Sequence, residues 1–195
     1  MTATHSARIG TQTVELPLVA ISPDLTIALL MVIDHGVEFV RTACAELGDA
    51  FRDAAPEIVV APATLGIPLA IETTRALGLD DYLILQKTNK VHLRDALREP
   101  LEAITTAGRQ ELLLDRARLG DVAGRRVLFV DDVLSTGSSA AAGLRLLESA
   151  GAEVVGVGAL LAEGSGWRDA LHPYLDRIVT LGTIPTFDGE GRPRV

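Results

Sequence analysis

Two adjacent carboxylates, Asp131 and Asp132, end the apolar run Val127-Leu128-Phe129-Val130, and Val133-Leu134 then leads into Ser135-Thr136-Gly137-Ser138-Ser139. Each residue type has a chemical use at this spacing. Successive residues of a strand point to opposite faces, so the two acids cannot both enter the core. At a strand end both can accept hydrogen bonds from a vicinal diol or help to hold a divalent cation. Gly137 lets the backbone approach a ligand closely. The N–H groups of Ser135 to Ser139 point out of the turn at a helix N-terminus, where the helix dipole favours an anion. Four hydroxyls add donors, and the result is a nest for a monophosphate. Ser and Thr before a helix also serve as ordinary N-caps, and an acid pair at a strand end is often simply solvated. Those plainer readings suit single residues better than the whole string in register. No lysine follows the glycine, so this is not a GxxxxGK[ST] nucleotide loop.

A second turn, Ala63-Thr64-Leu65-Gly66, follows Val60-Ala61-Pro62 and precedes a helix with Pro68 in its first turn. Proline suits that position because its missing N–H has no helical partner there. This is another helix N-terminus able to receive an anion, or an ordinary strand–helix turn. Lys87 and Lys90 lie just past a third apolar run, Tyr82 to Gln86.

The elements that must position these groups alternate. Ala7 to Ile21 reads as a hairpin or two short strands, and Leu25 to Val32 as a further strand. Val37 to Phe51 has helical spacing, with Val37, Val40, Cys44 and Leu47 on one stripe. Glu57 to Ala61 is a strand, Ile67 to Leu77 a helix closed by Gly78, and Tyr82 to Gln86 a strand. Lys87 to Gly108 is polar and aperiodic. Leu112 to Leu114 and Val127 to Asp131 are strands. Ser138 to Ala150 is a helix with Ala140, Leu144 and Leu147 inward. Val154 to Leu161 and Ile178 to Leu181 are the last strands. Repeated β-then-α order makes this an α/β protein with a central parallel sheet flanked by helices and ligands at the carboxyl ends of its strands.

The 195 residues suit one domain spanning 1–195. A net charge of −8 argues against a nucleic-acid partner held by a basic surface. One cysteine excludes an internal disulfide and a cysteine-built zinc site; Cys44 reads as a small core residue. No apolar run reaches the roughly 20 residues of a membrane span and no signal peptide is visible, so the expected location is cytoplasmic, with no membrane partner. His5 is expected in a disordered end, and no histidine is assigned to a metal.

The thirteen residues Val127 to Ser139 resemble the phosphoribosyl pyrophosphate signature of type I phosphoribosyltransferases: apolar strand, two acids, two apolar residues, then Ser/Thr-Thr-Gly-x-Ser/Thr. The resemblance implies that Asp131 and Asp132 contact the ribose hydroxyls, with Mg2+ bound through phosphoribosyl pyrophosphate. It also implies that Val133, Leu134, Ser135, Thr136, Gly137, Ser138 and Ser139 form the cradle of the 5-phosphate. Ala63, Thr64, Leu65 and Gly66 resemble the family's pyrophosphate loop, often acid-x-x-Gly-Ile-x-x-Ala, with Ala63 where Glu is common. Leu85 to Lys90 resembles a segment that often carries Arg-Lys; Lys87 fits, Gln86 replaces the arginine, and Lys90 is a second cation for the diphosphate.

By the same resemblance, residues 1–36 supply a hood and residues 87–110 a flexible lid from which His92, Arg94, Arg98 or Arg109 could reach the substrate. The base would lie near Glu163 and Gly164, with Glu163 either accepting from a base N–H or standing as an exposed helix-capping acid, and with Trp167 either stacking on the base or packing. The implied function is transfer of the phosphoribosyl group to a purine base with release of pyrophosphate, as in purine salvage. The family commonly forms homodimers. The adenine/xanthine-like branch is favoured over orotate by Gly66-Ile67-x-x-Ala70, by the Lys87 context and by the hood. The rival function is a regulatory protein of the same fold that binds the sugar diphosphate without turnover, kept open by Ala63 and Gln86. A phosphoribosyl pyrophosphate synthetase would need a longer, two-domain chain.

Overall fold

The computed structural model describes residues 3–88, 95–101 and 110–194. Strands β1 (Thr4–Ile9), β2 (Gln12–Ser22) and β3 (Leu25–Ala28) form an antiparallel meander. Helix α1 (Gly36–Ala50) follows, then β4 (Ile58–Pro62), α2 (Gly66–Leu77) and β5 (Tyr82–Leu85). A hairpin of β6 (Ala96–Pro100) and β7 (Glu111–Asp115) precedes β8 (Arg126–Leu134), α3 (Ser138–Ser149) and β9 (Glu153–Glu163). The chain continues with the one-turn helix α4 (Trp167–Ala170), β10 (Ile178–Thr180) and β11 (Thr183–Ile184).

The main sheet is parallel throughout, in the order β10-β9-β8-β4-β5, with β11 also pairing β9. Its strands carry apolar residues on both faces, as a sheet covered on both sides requires. Val59, Ala61, Leu128 and Val130 pack with Cys44 and Leu47 of α1 and Leu69 and Ala70 of α2. Ile58, Val60, Val127 and Phe129 pack with Ala140, Leu144 and Leu147 of α3. The chain builds β4 and β5 to one side, then returns to lay β8 on the other side of β4 and continue outward to β9 and β10. The strand order therefore reverses between β4 and β8, and the crevice at the carboxyl ends of those two strands is the topological switch point at which such sheets bind ligands.

Several expectations are corrected. Strand β3 stops at Ala28 rather than reaching Val32, and a 3-10 turn at Val32–Asp34 leads into α1. Val37 does not join the core stripe: it is 82 % exposed, while Phe39 and Ala43 are buried beside Val40, Cys44 and Leu47. His5 is not at a loose end but sits in β1, its ring meeting Phe187 edge-on at 5.2 Å. Strand β8 runs past the two acids to Leu134, because the long β9 keeps pairing with it, from Asp131 opposite Ala159 to Leu134 opposite Ala162. The aperiodic segment contains β6, held to β7 in register and tied by Arg98–Glu111 and, from α3, Arg145–Glu99. Lys90, His92, Arg94 and Arg109 lie outside the described residues.

Candidate sugar-phosphate site

The two turns picked out in the sequence end β4 and β8 and so flank the switch point. Asp131 lies in register with Ala159 of β9, which packs on the α3 side of the sheet, and the Asp132 carboxylate is close enough to act on it. Asp131 is only 7 % exposed. One of its oxygens, Oδ1, accepts the Asp132 N–H at 3.0 Å. Among the described residues neither acid forms an ion pair. Burial, followed by the neighbouring Asp132 carboxylate, pushes the Asp131 carboxyl well above the usual carboxylate range; the positive charge of Lys87 opposes that rise. A buried acid beside a like charge, near the carboxyl end of β8 and without an ion-pair partner among the described residues, is an arrangement that an incoming cation or hydroxyl pair would relieve.

Immediately beyond lies a small cavity of about 110 Å³ lined by Asp131, Val133, Leu134 and the continuous stretch 135–140. The residue at the N-cap of α3 is Gly137, with φ +77° and no side-chain cap. The plain N-cap reading therefore does not describe this turn. Thr136 Oγ1 accepts the Ser138 N–H at 3.3 Å, a long contact. Among the described residues the N–H groups of Thr136 and Gly137 donate to no backbone carbonyl. These orphan donors at the start of a twelve-residue helix are what an anion needs. Two features favour glycine at 137: the positive φ strains any other residue, and a Cβ would crowd the Trp167 carbonyl oxygen and Ala170 Cβ at 3.1 Å.

Across the crevice, Ala63 is buried and its N–H donates to the Leu85 carbonyl at 2.8 Å, so this amide faces the sheet rather than a ligand. The N–H groups of Thr64 and Leu65 have no backbone acceptor among the described residues. Gly66 opens α2 so close to the strand that a Cβ would sit 2.9 Å from Ala61 Cβ. The Ala63–Thr64 peptide is cis. Lys87 is exposed past the end of β5, near enough for its charge to act on Asp131.

The proposed base-side residues are turned to internal partners. Glu163 is 7 % exposed and its Oε2 accepts the Ser135 hydroxyl at 2.6 Å, so it is neither an exposed cap nor open to solvent. The Gly164 N–H donates to Ile184 and its carbonyl accepts the Trp167 indole N–H at 3.2 Å. Trp167 is buried, with the Arg168 guanidinium 4.6 Å from its ring centroid. The link from Ser135 to Glu163 went unanticipated. The signal that would have found it is the β8–β9 register, which sets Leu134 opposite Ala162 and so brings the next residue of each strand together.

The chain matches the phosphoribosyl transferase domain family over residues 35–180, well over half its length. An orotate phosphoribosyltransferase from Desulforamulus reducens is 27 % identical over 157 residues, covering 80 % of this chain and 69 % of that protein. An adenine phosphoribosyltransferase from the same organism is 31 % identical over 134 residues, covering 67 % of this chain and 72 % of that protein. Four orotate relatives are matched over between 55 % and 69 % of their own lengths. Among solved structures, the adenine phosphoribosyltransferase of Rhodothermus marinus superposes with a TM-score of 0.69 at 22 % identity, covering 87 % of this chain and 94 % of that one. That of Thermoanaerobacter pseudethanolicus also gives 0.69, at 21 % identity and covering 82 % and 89 %. A sheet reversing between two strand–helix turns, a thirteen-residue signature and a match over residues 35–180 agree, and the chain belongs to the type I phosphoribosyltransferase family.

Proposed function

We propose that this protein is a purine phosphoribosyltransferase of the cytoplasm, working as a homodimer, that moves the phosphoribosyl group of phosphoribosyl pyrophosphate onto a purine base. The observation that carries the reading is the switch-point crevice, with orphan amides at Thr136 and Gly137 on one wall and two carboxylates without ion pairs beside them. In this reading the 135–139 turn receives the 5-phosphate and Asp131 and Asp132 take the ribose hydroxyls. The Thr64 and Leu65 amides with Lys87 receive the pyrophosphate. A base nitrogen forms its bond to carbon 1 of the sugar as the bond to the pyrophosphate oxygen breaks, and pyrophosphate leaves with the electron pair. The chain's part is to hold both reactants in line, neutralise the departing charge and keep water out. The apolar groove of Val32, Ile33, Val37, Val40, Pro68 and Ile71 supports the dimer, since Ile33 and Val37 are exposed.

The donor set fits a magnesium ion that arrives on the ligand. Among the described residues no three metal-ligating side chains converge, whereas magnesium typically takes one or two carboxylates and completes its shell with phosphate oxygens and water. When bound, it supplies electrostatic stabilisation of the diphosphate.

Purine preference rests on the Gly66-Ile67-x-x-Ala70 turn and the Lys87 context; relatives acting on orotate and relatives acting on purines are both similar to this chain. A screen of adenine, guanine, hypoxanthine, xanthine, uracil and orotate with phosphoribosyl pyrophosphate and magnesium, reading released pyrophosphate, tests this. Turnover with at least one purine and none with orotate is expected; turnover with orotate alone contradicts the purine assignment. A second reading is favoured by the buried Ala63, which brings no charge to the pyrophosphate loop, and by Gln86. It is a sensor that binds the sugar diphosphate, and tight binding without turnover on any base would select it.

A further inference from the structure

We propose that Glu163 is a positioning residue: through Ser135 it fixes the phosphate turn, and it does not itself meet the base or the sugar. The inference rests on the reading of residues 135–139 as the 5-phosphate cradle. Glu163 ends β9 and Ser135 opens the turn after β8, side by side because the two strands pair in register to Leu134 and Ala162. The Ser135 hydroxyl donates to Glu163 Oε2 at 2.6 Å, the short length of a bond to a charged acceptor. The other oxygen, Oε1, is buried without a partner among the described residues. A carboxylate in that setting is costly to bury, and an apolar residue would be the cheaper occupant if packing were its only purpose.

A serine hydroxyl has one proton. Given to Glu163, it fixes the Ser135 side chain and cannot also be donated to a phosphate without leaving a buried carboxylate bare. The cradle thus keeps its donors in the backbone amides and in the hydroxyls after Ser135. The segment that follows Glu163 braces the same turn from behind. Trp167, anchored by its indole N–H on the Gly164 carbonyl, and Ala170 lie so close to Gly137 that a Cβ there would sit only 3.1 Å from them. Glu163 to Ala170 therefore forms one support behind the whole turn, with the carboxylate as its hydrogen-bonded end.

The test measures binding of two probes by calorimetry: ribose 5-phosphate, which needs the cradle, and magnesium pyrophosphate, which needs the loop at 63–66. Glu163→Leu removes the acceptor; Glu163→Gln keeps a carbonyl oxygen for the Ser135 hydroxyl. Glu163→Leu is expected to weaken ribose 5-phosphate binding about tenfold or more, the scale of a lost bond to a charged group, and to leave magnesium pyrophosphate binding within about twofold. Glu163→Gln is expected to recover most of the loss. Equal ribose 5-phosphate affinity in wild type and Glu163→Leu overturns the positioning role, as does an equal loss of both probes. If the wild-type protein itself fails to bind ribose 5-phosphate, the cradle reading falls and this inference falls with it.

Discussion

Replacing Asp131 by Asn is expected to weaken magnesium-dependent binding of phosphoribosyl pyrophosphate by about 100-fold while raising the melting temperature of the free protein. The first effect is the loss of a charged acceptor; hydrogen bonds to charged groups are worth about 1.5–3 kcal/mol, and the site's charge for the cation falls by one. The second follows from the environment. Asp131 is buried against Asp132, and both effects disfavour its ionised form. Asparagine has nearly the same shape without the charge. A gain on the order of 1 kcal/mol corresponds to about 2–4 °C for a chain of this size.

The pH dependence has a definite sign. The folded protein keeps a proton on Asp131 at pH values where the unfolded chain has released it, because the folded carboxyl is raised. Unfolding in that window releases a proton, so stability falls as pH climbs from the ordinary carboxylate range through the raised folded value. Chemical denaturation across pH should show this decline in the wild type and a flatter profile in Asp131→Asn. A variant that loses binding and is also less stable at neutral pH would contradict the strained-acid account.

Gly137→Val is the second large effect. At φ +77° a β-branched residue is strained, and its Cβ would already crowd Trp167 backbone and Ala170 at 3.1 Å before the branch is added. Either the turn changes conformation or the α4 segment moves away. Both outcomes disperse the amides that converge on the anion, so ribose 5-phosphate affinity should fall more than tenfold, with about 2–3 kcal/mol of stability lost. Gly137→Ala should show the same direction with a smaller loss. Calorimetric titration and urea denaturation of the two variants measure both quantities, and wild-type affinity in Gly137→Val would remove this turn from the site.

The parts of this molecule legible in the sequence are those governed by local physics. The run Val127 to Val130 announces a strand and the small-residue turn a helix start, and both lie where local pattern puts them. What stayed hidden depends on partners distant in sequence. Strand β8 continues through the acids because β9 is long enough to pair with it, which no property of residues 131–134 reveals. Val37 keeps the helical period but faces solvent, since the α1 stripe is completed by Phe39 and Ala43. From the sequence alone Glu163 reads as an exposed helix-capping acid or a base acceptor. Only the parallel register turns it into the partner of Ser135, and only the packing of Trp167 and Ala170 shows how little room a side chain at position 137 would have.

The most direct test of the sugar-phosphate cradle is an amide-resolved NMR titration of the free protein with ribose 5-phosphate. The account predicts saturable shifts concentrated at the N–H groups of Thr136, Gly137, Ser138 and Ser139, with the Thr64 and Leu65 amides responding only when pyrophosphate and magnesium are added. Binding that moves other amides and leaves those of 136–139 in place would contradict it.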